Sequence, residues 1–196
     1  MRILSLLSVA SLTMCIVSTP VFADSHGKFP GRGSEEAYNK SVEIEKKALD
    51  CANKGDFQSA EKYDTEAISI YPYDSGFYSN LGQDLKKLGK TEESRKAFER
   101  AVALEPNYAH AWISIGYSYE KQRNLAEAER YYRRAVAIES DWNALCSLGD
   151  ILRQEGRFDE SRKSLTRARA CTLNDHDAAL VDKCLEMCNQ HKVASD

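Results

Sequence analysis

A chain of 196 residues, 42% hydrophobic and 29% charged, is long enough for one domain with its own core and too apolar for a disordered polymer. Its formal charge of −3 comes from 27 basic and 30 acidic residues spread along the sequence. With no basic block, it carries no electrostatic footprint for nucleic acid.

The first residues differ from the rest. Arg2 is the only charge before Asp24, Ile3 to Val17 is an almost unbroken apolar run, and Ser18-Thr19-Pro20 ends it. Val21 and Ala23 then stand at −3 and −1 of a cut after Ala23, so residues 1–23 read as a secretory signal peptide. The run is short of the ~20 apolar residues of a membrane span. A retained anchor is the alternative reading, whereas lipidation at Cys15 is disfavoured by Met14 before it. The expectation is an exported chain, periplasmic or extracellular, with no stable membrane insertion after cleavage. Five cysteines follow the cut: Cys51, Cys146, Cys171, Cys184 and Cys188. In an oxidising compartment they can pair, and an odd number leaves one free or bonded between molecules.

Residues 24–33, with Gly27, Pro30, Gly31 and Gly33, read as a flexible leader. A helix is expected from Ser34 to Asn53, with Ser34 as its N-cap and Glu35-Glu36 in its first turn. Beyond it the chain repeats. Leu81-Gly82, Ile115-Gly116 and Leu148-Gly149 recur at spacings of 34 and 33, Ala67, Ala101, Ala135 and Ala168 keep the same step, and Pro72 and Pro106 are 34 apart. Each period holds two stretches of helical spacing, such as Tyr78, Leu81 and Leu85, then Ala97, Ala101 and Leu104. Short turns separate them: Leu88-Gly89-Lys90, Arg123-Asn124 and Glu155-Gly156-Arg157, where Gly or Asn can take the left-handed conformation. Glycine inside a helix costs about 1 kcal/mol against alanine, so its recurrence implies close helix approach. Tyr78, Phe98, Trp112, Tyr119 and Tyr132 occupy packing columns, and Cys51 reads as a buried thiol. Finally, Asp175 opens a helix with Ala178, Val181, Cys184, Leu185 and Cys188 on one side and Asp182, Lys183, Glu186 and Asn189 on the other. It reads as a solvating cap over 174–191, followed by a tail, 192–196.

The columns resemble the tetratricopeptide repeat, W-x2-L-G-x2-Y followed by A-x3-F and a later Ala and Pro. Repeats fall at about 41–74, 75–108, 109–141 and 142–173, the first weaker in its opening helix and the last two carrying Ser140 and Leu173 at the proline column. The resemblance implies an all-α solenoid of four helix-turn-helix repeats within 34–173, plus the C-terminal cap. A lone helix pair cannot bury its apolar face, so neighbours must stack. It further implies a concave groove lined by the first helix of each pair, a role that falls here on Ser79, Gln83, Lys86, Lys87, Ile113, Tyr117, Glu120, Lys121, Asn143, Asp150, Arg153 and Gln154. Tyr117 is the expected aromatic anchor, and the lysines with Arg153 make the groove mildly basic. The chaperone-type clamp is not reproduced, since Glu45 and Leu49 stand at its positions.

Antiparallel pairing makes two disulfides compatible with the sequence, Cys146–Cys171 and Cys171–Cys184. The spacing Cys184-x3-Cys188-x2-His191 lacks a fourth ligand for zinc, so no metal site is expected. No phosphate loop, nucleophile elbow or catalytic set is present, and neither an enzyme nor a cofactor is expected. The expected function is a scaffold that holds another polypeptide. The rival expectations are a self-associating structural protein forming a homo-oligomer and a cysteine-based accessory or redox protein.

Overall fold

The computed structural model describes residues 31–172 and 174–193, with the side chains of 190–193 left aside. The export leader expected over 1–23, most of the flexible stretch 24–33, Leu173, the His191 side chain and residues 194–196 lie outside the described residues. Within them the chain is helical: α1 (Glu35–Asn53), α2 (Phe57–Ile70), α3 (Ser75–Lys87), α4 (Thr91–Leu104), α5 (Ala109–Lys121), α6 (Leu125–Ile138), α7 (Trp142–Gln154), α8 (Phe158–Cys171) and α9 (Asp175–Val193). No strand is present among the described residues.

Local chemistry sets the ends. Ser34, Asp56, Asp74, Asn124 and Asp141 each accept a backbone N–H of the first turn of the helix they precede. Those bonds satisfy donors that a helix start leaves orphaned. Within each pair the turn needs one left-handed residue, supplied by Gly55, Gly89, Arg123 and Gly156 at φ between 62° and 80°. In the third repeat Arg123 takes this strained conformation, and Asn124, which the sequence also offered for it, serves as the N-cap of α6.

The eight helices α1 to α8 pack as four successive pairs, each against the next, and α9 covers the last. The helix-interior glycines are where the paired helices meet. A β-carbon at Gly82 would lie 2.9 Å from the Phe98 ring, at Gly116 3.0 Å from Tyr132, and at Gly149 2.7 Å from Leu165. Twelve residues on, Ser94 and Ser161 donate to the carbonyls of Gly82 and Gly149 at 2.7 and 2.6 Å. Ala128 fills the corresponding place in the third repeat and is fully buried.

The core runs along the stack. Tyr78, Phe98, Ala101, Ala111 and Ile115 bridge the second and third repeats, and Leu145, Leu165 and Ala168 meet Val181 and Cys188 of α9. Each buried Leu, Ile, Val or Phe among them contributes about 1.5–3 kcal/mol. Two expected core aromatics are only half-buried. Trp112 donates from Nε1 to the Pro106 carbonyl at 2.8 Å, and Tyr119 stacks on Tyr131 at 5.3 Å, so both form a polar-tipped aromatic seam. Cys51 is half-buried as well, because it lies in the last turn of α1 at the edge of its hairpin.

Candidate binding groove

A hollow of about 590 Å³ opens between α3 and α5, with the start of α4 also lining it. Gln83, Lys86 and Lys87 reach it from α3, Thr91 and Ser94 from α4, and His110, Ser114, Tyr117, Ser118 and Lys121 from α5. None of these is a carboxylate. Lys86 Nζ stands 4.1 Å and Lys121 Nζ 5.0 Å from the centre of the Tyr117 ring, one ammonium from each helix on a single aromatic. That geometry places both cations in reach of the ring's negative faces. The Lys86 chain is exposed, yet the concave wall keeps water from its ammonium and lowers its pKa, with Lys87 and Lys121 repelling it further. Burial lowers the His110 pKa, and Lys86 adds to the effect, so its imidazole is neutral at pH 7.

Three buried polar atoms in this wall have no hydrogen-bond partner within the protein: Gln83 Nε2, His110 Nδ1 and Ser118 Oγ. Such atoms cost free energy until something meets them. Their mix of donor and acceptor matches the peptide backbone, which offers both. The wall therefore presents excess positive charge and one aromatic platform within a single hollow, with unmet hydrogen-bonding groups buried just behind its surface.

The structure separates the twelve groove residues expected from sequence. Gln83, Lys86, Lys87, Tyr117 and Lys121 share the hollow. Ser79 is buried, bonded to the Tyr108 hydroxyl at 3.0 Å, because α3 turns that face into the next repeat. Ile113 packs half-buried against the cluster of Leu148 and Leu152. Glu120 accepts from the Tyr132 hydroxyl at 2.7 Å. Asp150 takes Arg153 at 2.5 Å and Gln154 at 2.8 Å, so these three groups satisfy one another, and Asn143 stands exposed outside the hollow. His110, Ser114 and Ser118 were missed. Their spacing with Tyr117 and Lys121, at four, seven or eight, and eleven residues along α5, marks one helix face and was the available signal.

A second hollow, also about 590 Å³, lies between α2 and the turn after α3. Its Lys90 already meets both carboxylate oxygens of Glu61, at 2.8 and 2.7 Å, so its charges are matched internally. Deeper, Glu45, Asp64 and Asp84 are buried together between the first two repeats. Burial and the neighbouring Glu45 push the Asp64 carboxyl far up, and burial raises Asp84 to about 6. Among the described residues no group of three His, Cys, Asp or Glu is placed to hold a metal ion.

Paired helices at a 33–34-residue period, stacked into a solenoid with a hollow between successive first helices, define a helical-repeat protein. A family model for the tetratricopeptide repeat matches residues 79–144 and a second matches 143–168. An uncharacterized protein of Methanocaldococcus jannaschii is 33% identical over 66 residues, covering 34% of this chain and 77% of that protein. The chain belongs to the tetratricopeptide-repeat family. Its fold is similar to that of MamA, with a TM-score of 0.62 at 21% identity over 68% of this chain and 83% of that one. It also resembles the Arabidopsis OM64 TPR domain, with a TM-score of 0.58 at 17% identity over 60% and 98% of the two chains. A third similar structure is the first TPR of Spaghetti bound to an HSP90 peptide, with a TM-score of 0.57 at 22% identity over 61% and 98%.

Proposed function

We propose that this chain is an exported, non-catalytic interaction module that holds an acidic segment of another polypeptide in the hollow between α3 and α5. The observation that carries this reading is the convergence of Lys86 and Lys121 on Tyr117 in a wall that holds no carboxylate. An acidic side chain relieves the mutual repulsion of three lysines. Its backbone meets Gln83, His110 and Ser118, and its apolar atoms rest on the tyrosine. The bound HSP90 peptide in the Spaghetti domain shows that one protein of this fold takes a peptide. The export reading rests on the pattern of residues 1–23.

The test is fluorescence anisotropy with labelled peptides of equal length and acidic, neutral or basic composition. The acidic set binds, and Tyr117→Ala with Lys121→Glu weakens it roughly tenfold or more while the helical circular dichroism at the assay temperature is kept, as expected when a charge contact and an aromatic anchor are lost together. Equal binding of all three sets, or full binding by the variant, overturns the reading.

A further inference from the structure

The cysteines of the last repeat and the cap have a relationship that the groove does not use. Cys146, in the first turns of α7, and Cys184, midway along α9, bring their sulfurs to 4.0 Å. This pairing differs from the two that the sequence left open, both of which involved Cys171. The cap's crossing over α7 is set by packing that no spacing rule encodes. A disulfide needs about 2.05 Å between sulfurs, ~2 Å closer than they stand, and both side chains are only half-buried. The competitors are placed differently. Cys188 is fully buried, with Sγ 2.9 Å from Ser161 Oγ, and Cys171 is half-buried at the edge of the same cluster.

α9 is also the element with most to gain from a tether. It buries a single stripe, Ala178, Val181 and Cys188, and leaves Leu180 exposed. Its ion pair between Arg169 and Asp182 is solvent-exposed and adds little. As the terminal helix of a stack, it has few contacts to lose when it opens.

We propose that Cys146 and Cys184 form a redox latch that fastens the capping helix to the last repeat. The oxidant is a disulfide, either a small molecule or an oxidoreductase. One cysteine thiolate attacks it and releases one thiolate of the oxidant. The other cysteine then loses its proton, attacks the mixed disulfide and releases the second thiolate. The two thiols of the chain are thereby oxidised to one S–S bond, and the oxidant disulfide is reduced to two thiols. Burial, followed by the neighbouring Cys184, pushes the Cys146 thiol up to about 12. Either cysteine can make the first attack, and the other then resolves the mixed disulfide.

The experiment equilibrates the full-length chain with oxidised glutathione, then maps non-reduced peptides and amide hydrogen exchange. The expected result is a linked peptide containing Cys146 and Cys184, exchange across 175–193 slowed roughly tenfold, and a Tm raised by about 5 °C. Cys171→Ser leaves all three unchanged, whereas Cys146→Ser and Cys184→Ser each abolish them. Separate glutathione adducts on the two cysteines, a link through Cys171, or a Cys146–Cys184 link without slower exchange overturns the latch. None of these readings depends on the groove.

Discussion

Replacing Gly82 by alanine tests whether the repeat glycines mark helix contact. A β-carbon there would stand 2.9 Å from Cε2 and Cζ of Phe98 and 3.0 Å from Cδ2. Phe98 is 1% exposed and held among Tyr78, Ala101 and Ile115, so its ring has nowhere to retreat. Overpacking of this kind costs about 1–3 kcal/mol. Alanine's helix propensity returns about 1 kcal/mol. The net effect is a loss of up to about 2 kcal/mol, which lowers Tm by as much as roughly 4–8 °C for a domain of this size. Urea unfolding followed by circular dichroism measures it. Combining Gly82→Ala with Phe98→Leu makes room for the methyl, so the double variant is more stable than the sum of the single effects predicts. A Gly82→Ala protein as stable as the wild type, with additive behaviour in the double variant, would refute close approach as the reason for glycine.

Arg123→Gly relieves a left-handed φ of 62° and stabilises the chain by about 0.5–1 kcal/mol in the same unfolding assay. The buried carboxylates predict a pH dependence. Raised pKa values mean that Asp64 and Asp84 retain protons in the folded chain that the unfolded chain has released. Their penalty is absent below the unfolded carboxylate pKa near 4 and grows as pH rises toward and through the folded values, by at most about 1.4 kcal/mol per unit for each retained proton. Asp64→Asn is therefore more stable than wild type at pH 7 and loses that advantage at pH 4–5, as denaturation at the two pH values would show. Finally, acidic peptide binding raises the lowered Lys86 pKa and so draws protons from buffer at alkaline pH, which calorimetry in buffers of different ionisation heat detects.

Much of the fold was legible because stacking repeats itself. Gly82, Gly116 and Gly149 announce contact with Phe98, Tyr132 and Leu165, and Ser34 and Asp175 mark where α1 and α9 begin. The third turn was harder to read, since Arg123 adopts by tertiary constraint what glycine adopts freely elsewhere. The groove was legible by helix face and obscured by pairing. Column position alone cannot show that Tyr132 claims Glu120 from across the hairpin, or that α3 buries Ser79 against Tyr108. The Asp150–Arg153 pair is three residues apart on one helix, a local signal that could have removed both from the groove in advance. His110 is the second residue of α5, and the concave wall uses that helix start.

The most direct test locates an acidic peptide on the isotope-labelled chain by NMR titration. The account predicts amide and side-chain shifts concentrated on Gln83, Lys86, His110, Tyr117, Ser118 and Lys121, saturating together. Shifts spread over the outward faces of α4 and α6, or none at saturating peptide, would contradict it.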